Sequence, residues 1–519
     1  MAVTPSRREF VAMLLGAPLA WACRAPTRAI EGELIDTGMQ RGHALVRDGG
    51  AAPVSSWRKA RVVIAGAGVA GLAAAWWLRR AGVTDVLILE LDDVIGGTAR
   101  GGASSVTGYP WGAHYVVAPR AEETTMVALL GELGVFEGFA ADGEPIVDEG
   151  LRCRDPDERL WYRGRWYDGL YQGAGASADD HAQLARFDAA IDRWATWRDA
   201  GGRPAFAVPT STASEADEPR ALDRLSFAAW LDAQGLRSPR LRWMCDYACR
   251  DDYDLLARDT SAWAGVYYFA ARRRAPGQSR PVIVWPDGNA HLIAHLARDQ
   301  EIETGVAVVN VRNADEGVEL TAIGPNGPFG VRADHAIVAL PRHVANRVAG
   351  RSSSMPDIGA WAVANLHLRA RPRVRPGDAP PAWDNVLYDS PSLGYVSATH
   401  QRGRDTGPTV WTWYYPFPGS ARETRTALAG AGHGEWAAAA LADLSRAHPD
   451  LESLVERIDV AFWGHGMIRP RVGSIFDPAR RAAALADGRI HFAHTDLGGM
   501  ALFEEALDHG VRAAREVLA

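Results

Sequence analysis

The chain is almost without lysine. Lys59 is the single one, so nearly all of its positive charge is arginine. Any chemistry that needs an active-site lysine must use Lys59 or do without. Cysteine is scarce too, at 4 residues in 519. Cys245 and Cys249 stand about one helical turn apart in Arg242-Trp-Met-Cys-Asp-Tyr-Ala-Cys249, where parallel Cβ vectors disfavour a disulfide. No second Cys/His pair lies near them, so no metal site is expected and both thiols are read as buried small hydrophobes. The formal net charge is −7 and no basic tract stands out, which argues against a nucleic-acid partner. No apolar run is long enough for a transmembrane span.

The amino-terminal stretch has the pattern of an address. Ser6-Arg7-Arg8-Glu9-Phe10 precedes an apolar run from Val11 to Leu19, broken by Gly16 and Pro18. Ala20-Trp21-Ala22 then offers a small-x-small cleavage site. Paired arginines before a modest apolar region mark a twin-arginine export signal, with the twin-arginine export machinery as partner and a periplasmic or other extracytoplasmic location. Cys23 follows the cleavage site and is a candidate lipid anchor, although Ala20-Trp21-Ala22 is a poor lipobox. Residues 1–22 are therefore set aside, and 23–57 are expected to be an exposed lead-in.

What is abundant is glycine in one informative pattern. Arg61-Val-Val-Ile-Ala65 has the look of a buried parallel strand, and Gly66-Ala-Gly68-Val-Ala-Gly71 follows directly. A helical pattern runs from Leu72 to Arg80, then Val86-Leu-Ile-Leu-Glu90 forms a second strand with an acid at its end. Gly66 serves the tight turn, Gly68 the approach of backbone to a pyrophosphate, and Gly71 the packing of helix on strand. The helix N-terminus supplies N–H groups to the phosphates, and Glu90 accepts from ribose hydroxyls. A dinucleotide site follows, without a choice between flavin and nicotinamide.

Strand signals fade from 121 to 280, which is helix-leaning and aromatic, and return at Val282-Ile-Val-Trp285. Val306–Val311 and Gly317–Ile323 look like a hairpin, Ala336–Leu340 like a buried strand closed by Pro341, and Arg371–Pro381 like a surface loop. Strand Arg489–Ala493 and a helix from about Phe503 to Leu518 end the chain. The fold class is α/β: a Rossmann-like dinucleotide domain built from the discontinuous segments 58–120, 281–345 and 471–519. An α+β substrate or cap domain occupies 121–280 and 346–470.

At this point the residues resemble the flavin-containing amine oxidase superfamily. Val62–Gly97 is similar to its first motif, with a Gly-Gly pair after the ribose acid. Gly112-Ala-His-Tyr115-Val116 is similar to its Gly-Gly-x-Tyr-Val loop beneath the flavin. Asp334–Pro341 resembles its central strand ending in Ala-x-Pro. Phe492–Asp496, Ala501–Ala506 and Gly510 resemble its carboxyl-terminal flavin motif. The resemblance implies FAD, held by Gly66, Gly68, Gly71, Glu90, Gly97, Gly112, Ala113, Asp496 and the helix starting near Phe503. That helix would aim N–H groups at the flavin edge where the reduced form carries negative charge. Departures accompany the matches. The family's Gly-Gly-Arg reads Gly96-Gly97-Thr98, which leaves Arg100 to cover a phosphate. Leu502 stands where an aromatic cage ring is common, and the family's lysine near the flavin has only Lys59 as a counterpart.

Candidates for the chemistry are His114, to orient substrate or exchange a proton, Trp463 as a wall of the donor site, and Arg469 as an anchor for a substrate anion. His465 and His494 fall in the same region, and Asp251-Asp252 would attract a cation or simply end a solvated helix. Three functions follow: hydride transfer from a small organic donor, an amine or polyamine among them, with reoxidation by oxygen or a quinone; desaturation or dehydrogenation of a lipid-like or polycyclic substrate; or non-catalytic flavin binding.

Overall fold

A computed structural model describes residues 30–48, 54, 56–352 and 355–519; Arg7, Arg8 and Cys23 lie outside the described residues. Val62, Val63 and Ile64 are all completely buried, so this stretch is apolar on both faces and takes a central place in a parallel sheet. The strand Trp57–Ala65 pairs in parallel with Val86–Leu89 on one side and Gly327–Val338 on the other. Glu301–Glu303 extends the sheet beyond Val86–Leu89, and Ile490–Phe492 pairs in parallel with the end of Gly327–Val338. Five strands thus end at one carboxyl edge, which carries Gly66, Glu90, Leu340 and Ala493. Ala307–Ala314, Gly317–Gly324 and Gly327–Val338 form an antiparallel meander, so the expected hairpin gains a third strand.

The helix Val69–Arg80 begins directly after Gly68 and packs against the carboxyl-terminal helix Phe503–Leu518. Gly510 makes that approach feasible, because a Cβ there would collide with the Ala70 carbonyl oxygen. A single core therefore joins residues far apart in sequence, from Leu72 to Val511.

The second sheet has eight strands, with the long strands Ile358–Leu368, Thr409–Pro416 and Val455–Ile468 at its centre. Helices Ala178–Thr196, Phe227–Ala233, Pro239–Tyr253 and Ala262–Ala270 share a separate aromatic core around Phe187, Phe227 and Trp263. Cys245 and Cys249 are buried and unpaired in that core, and burial raises both thiols. Among the described residues no helix is long and apolar enough to cross a membrane, and no His/Cys/Asp/Glu group is placed to hold a metal.

The described part of the expected lead-in is structured. Leu34–Ile35 pairs with Val460 and Ala461 of the second sheet, and the helix Met39–Asp48 then lies against the nucleotide sheet. Arg41 holds it there through Asp93, with 3.1 Å between Nη1 and Oδ1. This segment straps one sheet to the other. Its cues are non-local, which is why its composition alone suggests an exposed linker.

Candidate active site

A cavity of about 1260 Å³ runs along the carboxyl edge of the parallel sheet and under the second sheet. One end is built mainly of backbone. Gly66 has φ +101°, and a Cβ at Gly71 would collide with the Gly66 carbonyl oxygen, so the turn and the helix start require glycine. At Gly68 a Cβ would meet no protein atom within 4 Å, and Gly97 lies beside it. The fingerprint is open toward the cavity at the one position where a pyrophosphate must approach. Glu90 Oε2 accepts from the Ala67 N–H at 2.6 Å, Oε1 accepts from the Asp92 N–H at 2.9 Å, and burial raises its carboxyl. Gly112, Ala113, Leu502, Phe503 and Glu504 line the same cavity. This cradle of glycine backbone, helix N-terminus and ribose acid fits a flavin dinucleotide.

Two expected cofactor contacts are differently engaged. Arg100 is 4% exposed and its guanidinium is 2.6 Å from Asp92, 3.1 Å from the Asp36 carbonyl and stacked over Trp463. Its charge is already matched, so it does not cover a phosphate. Asp496 Oδ2 accepts the Arg342 N–H at 2.9 Å, and Oδ1 lies 3.1 Å from His494. Its neighbours His494 and Thr495 face the cavity, while Asp496 receives the first N–H of the distant helix Arg342–Val348. The helix beginning at Phe503 also differs from a bare positive dipole end. Its first turn holds Glu504 and Glu505, both buried, and burial raises each to about 7.

The other end of the cavity is made of side chains. His114 stacks on Tyr414 with ring centroids 4.8 Å apart, and Tyr414 Oη donates to the Gly112 carbonyl at 2.9 Å. His114 Nδ1 lies 3.1 Å from that carbonyl, and burial lowers the imidazole to about 4. It is therefore neutral near pH 7, with Nδ1–H donating to Gly112 and Nε2 left as an acceptor; that tautomer follows from the hydrogen bond. Trp463 lines the cavity, with Nε1 donating to the Trp111 carbonyl at 2.6 Å. Trp361 and Tyr414 add aromatic wall from the second sheet. These rings stand on strands that periodicity near Leu502 does not reveal.

Arg469 is elsewhere. Its side chain is 0% exposed, Nη2 lies 2.5 Å from the equally buried Asp254, and it also donates to the Phe417 and Gly419 carbonyls. It is a structural ion pair and anchors no substrate. Lys59 is exposed on the amino-terminal half of its strand, opposite Arg332, and does not line the cavity.

Asp251 and Asp252 close the donor end. They terminate the helix Pro239–Tyr253 inside the protein and both line the cavity. Asp252 takes Arg272, at 2.8 and 3.1 Å, and Arg272 also donates to Tyr115 Oη at 2.8 Å. Asp251 accepts from the Tyr268 hydroxyl at 3.4 Å and forms no ion pair among the described residues. Burial raises Asp251 to about 7, with Asp252 adding to the rise and Arg272 opposing it. Behind it, burial raises Glu158 to about 8 and Asp384 well above the carboxylate range. Of these four carboxyls only Asp252 is paired with a guanidinium; Arg272 also acts on Asp251 and Glu158, and Arg250 on Asp251.

A parallel sheet with this glycine turn, a ribose acid and a second cofactor segment from the chain's end defines a flavin-dinucleotide oxidoreductase. A family model described as flavin containing amine oxidoreductase matches residues 69–518, and the chain belongs to that family. No curated relative matches it in sequence. Among solved structures, a redesigned putrescine oxidase aligns with TM-score 0.62 at 18% identity, over 89% of this chain and 99% of its own. Cyclohexylamine oxidase from Brevibacterium oxydans aligns with TM-score 0.60 at 16% identity, over 89% and 99%. A CLA-producing fatty acid isomerase from P. acnes gives 0.58 at 15%, over 88% and 98%. At such identities the likeness is one of fold. The protein is an FAD-dependent, amine oxidase-like oxidoreductase.

Proposed function

We propose that the protein oxidises a small cationic amine or polyamine whose ammonium is taken up by Asp251. The observation that carries this reading is the imbalance at the donor end, where Asp251 faces the cavity without a cation of its own. An isolated buried carboxylate is costly, and a bound ammonium would offset that cost. Bound FAD supplies a two-electron acceptor for the hydride of a donor C–H, with oxygen or a quinone as the final oxidant. The reacting ammonium first gives up one proton to become a neutral amine, whose carbon then gives up hydride, leaving an iminium (a protonated imine). Asp251 positions the ammonium, while Tyr414, Trp361 and Trp463 exclude water around the reacting carbon. His114, neutral and fixed by Gly112, offers Nε2 as a hydrogen-bond acceptor to the donor.

The test is an anaerobic donor panel followed by flavin bleaching. Putrescine and spermidine should bleach the flavin, and uncharged alcohols of the same length should not. Equal bleaching by charged and uncharged donors would sink the amine reading.

A second reading, a desaturase or dehydrogenase of a lipid-like donor, is supported by the apolar stretch of wall at Val363, Leu393, Met467 and Leu502 and by the fold shared with the fatty acid isomerase. Bleaching only by apolar donors would favour it. We also infer export in the folded state, supported by Arg7-Arg8 and the short apolar run after them. Replacing both arginines with lysine and finding the protein still outside the cytoplasm would count against that route.

A further inference from the structure

The glycine loop that approaches the pyrophosphate brings no cation with it. Thr98 follows Gly97, and Arg100 is committed to Asp92. Hydrogen bonds from a helix N-terminus help a diphosphate, but its two negative charges still lack a counterion inside a cavity.

Three histidine rings and an arginine converge on the same sheet edge from other elements. His343 lies in the first turn of the helix Arg342–Val348, which follows the strand paired with Trp57–Ala65. Leu340, at the end of that strand, is one of the nearest neighbours of Gly66. His494 follows the next parallel strand, Ile490–Phe492. His465, just past Trp463, stacks on His343 with centroids 4.5 Å apart. Arg425 reaches the Gly464 carbonyl at 2.6 Å and the Ile358 carbonyl at 2.7 Å, so its guanidinium hydrogen-bonds to neutral groups. All four side chains line the cavity, and the buried His343 Nδ1 has no hydrogen-bond partner.

We propose that His343, His465, His494 and Arg425 form the site for the diphosphate bridge of FAD, replacing a cation in the glycine loop. The charged groups around this cluster are Asp496, Asp357, Arg342, Arg469 and His43. Asp496 already meets His494 and the Arg342 N–H, and its charge reaches His343 and His465 without a hydrogen bond to either. Burial lowers His343, and it lowers His465 to about 3 with His343, Arg425 and His43 adding to the fall. An anion arriving among these rings reverses that balance, so flavin binding takes up protons.

The measurement is the rate at which FAD leaves the holoprotein in potassium bromide, followed by the fluorescence of released flavin between pH 6 and 9. Release from the natural protein should quicken by about tenfold or more as pH rises across this range. His343→Gln with His465→Gln should release quickly throughout and lose most of that slope. Arg425→Gln should also release faster, while Arg425→Lys should stay near the natural rate. Carboxyls elsewhere on the cavity, Glu504 and Asp251 among them, would keep a slope in the histidine double variant. A retained slope, or an unchanged release rate, overturns the proposal. Should the double variant fail to fold, His465→Gln alone carries the test, because His465 is the more accessible of the two residues. Arg425→Lys releasing as fast as Arg425→Gln would assign Arg425 to packing and remove it from the site.

Discussion

The two ends of the cavity are built by opposite means. The cofactor end is largely backbone: glycines that tolerate no Cβ or admit a ligand, a helix start and one acid hydrogen-bonded to main-chain N–H groups. The donor end is side chain: stacked rings and carboxyls outnumbering their cations, from strands and helices spread across the chain. Backbone geometry fails abruptly when altered, because a collision has no graded form. Side-chain electrostatics responds in degrees and titrates.

The largest expected effect tests the backbone end. Gly71→Val should yield protein without bound flavin, since the new side chain collides with the Gly66 carbonyl; flavin absorbance relative to protein absorbance reads it. Full flavin occupancy in that variant would erase the contrast. Next comes the buried pair outside the cavity. Arg469→Met strands Asp254 and should cost about 3–5 kcal/mol in denaturant unfolding. The Michaelis constant of the folded fraction should not move, and a large rise would return Arg469 to the donor site.

Asp251→Asn should keep its flavin while the Michaelis constant for a cationic donor rises about 10- to 100-fold, the loss of one charge-assisted hydrogen bond. A variant indistinguishable from the natural enzyme would show that the ammonium sits elsewhere. The pH dependence sharpens the same point. Asp251, raised to about 7, is neutral below that pH, so the Michaelis constant for a cationic donor should fall as pH rises toward 7 and then level off. Stability runs the other way. The folded protein keeps a proton that the unfolded chain releases from the ordinary Asp range upward. Stability from this group therefore declines between about pH 4 and 7, and Asp251→Asn should flatten that decline in a melting series. The smallest effect is expected from His114→Gln, a few-fold change in turnover without a new pH step, because the natural ring is already neutral near pH 7.

The contrast between the two ends also explains what was legible in the chain. Gly66 to Gly71, Glu90 and the helix from Phe503 were readable because each is a local pattern tied to a local backbone need. Arg100 and Asp496 were placed on the cofactor by motif position, and the fold gives them other partners: Asp92 for one, the Arg342 N–H and His494 for the other. Arg469 was readable only as an arginine near a strand end; its burial against Asp254 depends on the crossing of two distant segments. Asp251 and Asp252 look like a solvated helix end in sequence, yet the surrounding layers bury them and expose them to a cavity instead. Nothing local marks Tyr414, Trp361 or Arg425, because their meaning comes from what packs across the sheet.

The sequence by itself determined the turn, the ribose acid and the lack of any lysine but Lys59, since backbone conformation and composition are properties of neighbours along the chain. The tertiary structure alone decided which charges are already satisfied. That difference turns Arg100 and Arg469 into internal braces and leaves Asp251, His343 and Arg425 facing the cavity. A charge is satisfied or left wanting by atoms a few ångströms away, and in this fold those atoms come from strands far apart in sequence.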